Sequence, residues 1–443
     1  MTNQMHLLSF PEHTEGVHHA LENAVRDPAD RRFRGSSMIG YWQNVARILE
    51  RGKFDGIFFA DTAAIYDRYK GRPDESIKYG LGWPRHDIMP TLALMAAATE
   101  RLGFAFTQSI GGAFPYPLMR LISTLDFLSD GRVGWNIVTG NTRMEYDAIG
   151  IEALEHDSRY DRADEFMEIC RALWDGIPRD AILMETEAGI VADPAKVGRV
   201  DVDGRYLKSR AVPLVVPSPQ GRPVLFQAGS SGRGQRFALQ NADVIFAIQS
   251  TTENMRRYVE QLRAAAEEQG RSDPVRVIFG LQIVLGSTEA EARQRREELL
   301  SRYTLEASLA RLSGSLGIDF SEIDLDSPME EWPSQASQGL VKALSSDMGG
   351  GKRLTLRDVA KTWATSIGTP HVVGTPEQVA AEIETIWRET GCHGFNLRPA
   401  TIPDSIEEFV DNVIPILQAR GVFRTEYEGP TFRDNILGTG AGA

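Results

Sequence analysis

Cysteine is nearly absent from this chain. Its 443 residues hold two, Cys170 and Cys392. They lie far apart and show no metal-ligand spacing, which excludes a disulfide framework and fits a reduced, cytoplasmic protein. Long apolar runs are missing as well. No stretch approaches the ~20 residues that a membrane helix needs. The N-terminus lacks the charged segment and apolar core of a signal peptide. Positive charge is in deficit, with 48 Lys and Arg against 61 Asp and Glu and a net charge of −13. That balance weighs against a nucleic-acid or anionic-membrane surface, since both want clustered cations. There is no HExxH, no Cys pair and no carboxylate ligand set, so no metal site is expected. No GxSxG marks a serine hydrolase. The run Gly349-Gly350-Gly351-Lys352-Arg353 lacks Walker spacing, and no repeat of fixed period is found.

What the chain does have is alternation. Apolar segments of strand length occur at Met5–Phe10, Gly56–Ala60, Phe104–Ser109, Val133–Val138, within 223–234, and at Asp243–Ile248, Arg276–Leu285 and His393–Leu397. Helical patterns separate them, at about 38–51, 88–101, 116–128, 159–174, 254–268, 374–383 and 404–420, and as one long charged helix over 288–312. Eight strands, each followed by a helix, predict a TIM (β/α)8 barrel. An open doubly wound sheet is the alternative, but no Gly fingerprint follows the first strand. Residues 11–37, 177–220 and 313–370 break the rhythm and read as insertions. The second of these carries a hairpin-like VGRVDVDGRYL. Residues 1–443 are then one domain with a C-terminal tail, 421–443.

The organising stretch is GRVGWNIVTG, 131–140. Val133–Val138 is apolar on both faces, as a buried parallel strand should be, apart from one amide, Asn136. A buried Asn must satisfy both its carbonyl and its NH₂ or cost roughly 1–3 kcal/mol. Its partner is either a backbone carbonyl or water, or the polar edge of a planar cofactor. In a barrel, ligands bind at the C-terminal ends of the strands. The polar residues there are Asp61, Thr107, Ser109, Asn136, Thr139, Gln227 and Gln249. AGSSGRG (228–234) leads into a helix. Gly229, Ser230 and Ser231 suit a phosphate through backbone N–H groups and hydroxyls, or form an ordinary helix cap. His156 and Tyr160 share a helix face four residues apart. They either hold phosphate or ribityl oxygens together, or cap and pack.

With these motifs in order, SDGRVGWNIVTG closely resembles the signature of the bacterial luciferase-like flavin monooxygenases. Within that superfamily, the chain resembles the group of nitrilotriacetate, dibenzothiophene-sulfone and dimethyl-sulfide monooxygenases. ERGKFDGIFFAD, EHDSRYDRADEF, PVLFQAGSSGRG, the GTPEQVA helix start and the tail FRTEYEGPTFRDNILG add to the match. The resemblance implies a TIM barrel that binds FMN, with reduced FMN supplied by a separate NAD(P)H-dependent reductase. With O₂ as co-substrate, it implies oxygenation of a carbon or sulfur centre in a small organic molecule. It also implies that Asp61, Thr107 and Asn136 contact the isoalloxazine region, and that His156, Tyr160, Gly229, Ser230 and Ser231 hold the ribityl phosphate. On the substrate side it offers Tyr66 and, by a looser match, His18. A homo-oligomer, dimer or tetramer, is implied too. The loop after the first strand departs from the pattern, with Gly16-Val17-His18-His19-Ala20 where many relatives carry Trp-Arg-His-Pro, so substrate identity does not carry over. A polycarboxylate would need cations such as Arg31, Arg32, Arg34, Arg68 and Arg85 in the pocket. Two other readings stay open: a deazaflavin-dependent oxidoreductase of the same superfamily, and a non-catalytic flavin-binding protein.

Overall fold

The computed structural model describes residues 4–11, 35–140, 143–228, 232–271, 275–301, 304–328 and 354–438. Eight strands form the barrel: β1 His6–Ser9, β2 Gly56–Phe59, β3 Gly103–Ser109, β4 Val133–Val138, β5 Val224–Gln227, β6 Val244–Ala247, β7 Arg276–Leu285 and β8 Gly394–Arg398. Each pairs in parallel with the next, and β8 also pairs in parallel with β1, which closes the ring. Helices α1 Gly35–Arg51, α2 Ile88–Ala96, α3 Pro115–Leu128, α4 His156–Trp174, α5 Gly232–Asn241, α6 Thr252–Glu268, α7 Pro376–Thr390 and α8 Asp404–Asn412 surround it. The TIM barrel expected from the alternation is what forms.

Side chains alternate along each strand, as the two-residue period requires. Leu7, Ile57, Phe104, Phe106, Trp135, Ile137 and Phe395 face the helices and share one large core with them. Leu8, Phe58, Ala105, Phe226, Phe246 and Ile278 face inward and fill the barrel. Phe10, Phe58, Phe226 and Phe246 meet edge-on or tilted, with ring centroids 5.3–5.6 Å apart, a geometry that the ring quadrupoles favour.

The C-terminal tail plugs the barrel from below. Phe432 and Ile436, on the short helix Phe432–Leu437, join the inner core. Glycines on three adjacent strands make room for the Phe432 ring. A Cβ on Gly103 would lie 2.3 Å from it, one on Gly134 2.9 Å and one on Gly56 3.2 Å. The tail is also tied by charge. Arg424, buried, donates to Asp55 Oδ1 at 2.7 Å, and Arg433 reaches Asp243 at 3.1 Å. Burial alone would raise the Asp55 carboxyl, but Arg424 and His6 hold it below the usual range. Asp55 is therefore a structural group at the barrel bottom.

Four sequence expectations need correction. The helix over 404–420 is two, Asp404–Asn412 and Ile414–Ala419, parted at Val413 where Pro415 has no N–H to continue the ladder. The long helix over 288–312 is two helices, Glu289–Ser301 and Leu305–Leu316, and Thr304 caps the second by accepting from Ala307 N–H at 3.1 Å. The helix over 88–101 ends at Ala96, because Arg132 takes the Ala96 carbonyl and Glu50 Oε1 takes the N–H groups of residues 100–102. A further strand, His371–Gly374, pairs with the outer half of β7, whose ten residues overhang the ring.

Of the predicted insertions, 177–220 forms two hairpins, Ile182–Glu185 with Ile190–Ala192 and Val200–Asp203 with Lys208–Ala211. The first and third insertions lie partly outside the described residues. What is described of the third builds a second apolar core. Leu309, Leu312 and Leu316 pack there with Leu356, Val359 and Trp363 of helix Leu356–Ser366, and with Tyr69 and Leu81 of the loop after β2.

Candidate functional site

The strand ends create the site. Thr107 lies beside Asn136 in the β3–β4 register, and both point inward. Asn136 Nδ2 donates to Thr107 Oγ1 at 2.9 Å. Its carbonyl, Oδ1, is buried with no hydrogen-bond partner. Such an acceptor costs about 1–3 kcal/mol if it stays unmet. The site therefore presents an acceptor that wants a donor, which fits the polar edge of a flavin ring.

Asp61 follows β2 and is held by two contacts. Thr62 N–H donates to its Oδ1 at 2.8 Å, and Arg85 Nη1 donates to the same oxygen at 3.1 Å. Burial raises the Asp61 carboxyl, and Arg85 opposes that shift. Together with Trp83, Thr107, Ser109 and Glu145, these residues line a cavity of about 350 Å³ at the mouth of the barrel. A larger cavity, about 580 Å³, lies at the opposite end among Glu50, Lys53, Arg101 and Tyr427; it shares no residue with the mouth.

A second group gathers at the start of α4. His156 is half exposed and hydrogen-bonded to Asp157 at 2.7 Å. Its ring meets that of Tyr160 at 5.3 Å. Arg233, in the first turn of α5, lies over the Tyr160 ring at 5.4 Å and pairs with Asp161 and Asp164. The first turn of α5 is thereby brought against Tyr160. Its residues Gly229, Ser230 and Ser231 lie outside the described residues, as does His18. The turn after β4 is fastened from the same side, since Arg159 and Tyr146 both reach main-chain carbonyls at 139–140.

Asp61, Thr107 and Asn136 are thus collected at one mouth, and His156 and Tyr160 beside it. Tyr66 is placed differently. It sits on the second core over Gly314, where a Cβ would lie 2.4 Å from its ring, and it is not part of the cavity wall.

Two groups escaped the sequence reading. Glu145 lies on the short helix Arg143–Ile149, between buried Met144 and Tyr146. A carboxylate flanked by two large buried residues was the available signal. Burial raises its carboxyl, and Asp61 nearby adds to the effect. Asn396 of β8 points into the barrel, fully buried, and neither of its amide atoms has a hydrogen-bond partner. It resembles the signal of Asn136: an amide between two apolar neighbours, Phe395 and Leu397. Among the described residues no group of three or more His, Cys, Asp or Glu side chains is arranged to hold a metal ion.

The comparisons agree with this geometry. A family model described as luciferase-like monooxygenase matches residues 20–394. A dibenzothiophene-sulfone monooxygenase of Rhodococcus erythropolis (strain XP) is 40% identical, over 98% of this chain and 96% of that one. Component A of the nitrilotriacetate monooxygenase of Aminobacter aminovorans is 33% identical, over 98% and 96%. Among solved structures, a riboflavin lyase bound to modified FMN and riboflavin superposes with a TM-score of 0.89 at 35% identity, covering 99% of this chain and 96% of that one. An F420-dependent secondary alcohol dehydrogenase superposes at 0.58 with 13% identity, covering 95% of this chain and 100% of that one, a likeness of fold alone. The chain belongs to the luciferase-like monooxygenase family and is a flavin-dependent monooxygenase.

Proposed function

We propose that the barrel mouth binds reduced FMN, delivered by a separate NAD(P)H-dependent reductase, and uses it with O₂ to oxygenate a small organic molecule. The observation that carries this reading is the pair Thr107–Asn136, fixed by a 2.9 Å hydrogen bond with Asn136 Oδ1 left unmet. Asp61, Thr107 and Asn136 would hold the ring. His156, Tyr160, Gly229, Ser230 and Ser231 would hold the ribityl phosphate, helped by the N-terminus of α5. The bound flavin supplies the oxygen chemistry. The protein's part is to orient it, to keep water out and to shape the substrate space. The substrate-side groups in this reading are Tyr66, whose ring would lie 3.7 Å from a Cβ on Gly82 of the cavity wall, and His18, which lies outside the described residues. The name "component A" of one relative supports a two-component arrangement. The relatives' names point to substrates in the organosulfur and aminopolycarboxylate classes.

We read the chain as one domain, because its tail fills the barrel that the rest builds. A homo-oligomer is supported by exposed apolar residues: Leu121 and Leu128 on α3, and Leu214 of the hairpin insertion. Among the described residues no helix is long and apolar enough to cross a membrane. Cys170 and Cys392 are both free and buried, which supports a reducing, cytoplasmic location.

The test is a pair of anaerobic titrations, one with reduced FMN and one with reduced deazaflavin coenzyme. Binding of FMN alone is expected. Binding of the deazaflavin alone would overturn the reading in favour of the dehydrogenase alternative.

A further inference from the structure

Glu145 is 7% exposed. Its Oε1 accepts from Ala63 N–H at 3.2 Å. Its other oxygen, Oε2, is buried with no hydrogen-bond partner, on a residue that lines the cavity at the mouth. The neighbouring charged groups are partly engaged, with Arg85 Nε buried and without a partner. Arg85 donates to Asp61 and to Thr62 Oγ1 at 3.1 and 3.0 Å. Asp87 accepts from Met89 N–H at 2.9 Å to cap α2. The wall therefore sets three carboxylates, Asp61, Asp87 and Glu145, against one arginine, Arg85, beside His86, and Glu145 Oε2 is buried and unmet among them. An anion placed there would meet like charge with little water to screen it. A hydrogen-bond donor would satisfy Oε2.

We propose that Glu145 is a specificity-determining residue, and that it selects a substrate with an N–H, O–H or ammonium donor near the ring while rejecting polyanions. This rests on the flavin-binding reading of the mouth. Within the substrate classes carried by the relatives' names, it sets this chain apart from aminopolycarboxylate oxidation. The donor could come from the substrate or from the flavin itself, and the test separates the two.

The experiment uses three probes of one shape, phenethylammonium, phenylacetamide and phenylacetate. Each is titrated into FMN-loaded protein by flavin absorbance, and into flavin-free protein by calorimetry. Phenylacetate is expected to bind roughly tenfold or more weakly than the other two, as losing a hydrogen bond to a charged group implies. Glu145→Gln keeps an acceptor for Ala63 N–H. It should narrow that gap to about twofold and leave FMN affinity unchanged. Equal binding of phenylacetate, no binding of phenethylammonium, or a gap that Glu145→Gln leaves intact would each overturn the proposal. So would a loss of FMN affinity in Glu145→Gln, which would assign the donor to the flavin. Failure of FMN to bind wild-type protein strikes the flavin reading instead, and the calorimetric arm still reports the charge preference.

Discussion

Asn136 and Thr107 sit side by side on adjacent strands, joined by a 2.9 Å hydrogen bond that satisfies the amide nitrogen and leaves the carbonyl oxygen buried and unmet. A purely structural pair would close both ends of the amide. Asn136→Leu should therefore leave the flavin-free protein as stable as the parent, or slightly more so, because a buried unmet acceptor is removed. The same change should weaken flavin binding by roughly tenfold or more. Thermal unfolding without flavin and a flavin titration, run on the same preparation, check both halves.

Arg85 restrains Asp61, whose carboxyl burial otherwise raises. Replacing Arg85 by Met removes that restraint, so Asp61 stays protonated to higher pH. The acid limb of the activity profile is expected to move upward in pH, with lower turnover near neutrality. A profile whose acid limb stays in place would show that Asp61 does not govern it.

Phe432 and Gly103 test the tail as a plug. Phe432→Ala should cost about 3–5 kcal/mol, the range for a large aromatic lost from a core. Gly103→Ala places a Cβ 2.3 Å from the Phe432 ring and should cost about 1–3 kcal/mol by overpacking. The double variant should lose less than the sum, since the added methyl then faces the space the ring left. Urea unfolding of the four proteins closes the cycle.

Burial holds His371 down to about 4 and His393 down to about 3. Both are neutral in the fold and take up protons when it opens. Their contribution is complete above the ordinary histidine range, and it is lost as pH falls from about 6.5 toward those values. Each should cost about 2 kcal/mol by pH 5. Asp126, pushed up to about 6 by burial, acts the other way between about pH 4 and 6, where it favours the fold as pH falls. His393→Asn preserves an acceptor for Val277 N–H, which donates to His393 Nδ1 at 3.0 Å. Its unfolding free energy should fall less than the parent's between pH 7.5 and pH 5.

Much of this was legible in the chain. The barrel followed from strict alternation, and Val133–Val138 and Arg276–Leu285 were bounded as the structure has them. Asn136 stood out because an amide inside an apolar strand must meet something. Other features were hidden for physical reasons. Glu145 acquires meaning only when the fold brings it to Ala63, next to Asp61, through a hydrogen bond across 82 residues that no local pattern encodes. His371–Gly374 is four residues long and forms because β7 overhangs the ring, so its cause lies in another segment. The break at Thr304 was masked by charge on one side and apolar spacing on the other, which together read as a single helix.

The central claim is that the mouth defined by Asp61, Thr107 and Asn136 holds reduced FMN for reaction with O₂. The most direct measurement mixes the protein with reduced FMN without oxygen, adds oxygenated buffer by stopped flow, and follows the return of oxidised-flavin absorbance. The account predicts that reoxidation departs from the free-flavin rate in proportion to the bound fraction, and that Asn136→Leu restores the free rate at the same concentrations. Reoxidation at the free-flavin rate with protein in large excess would contradict it.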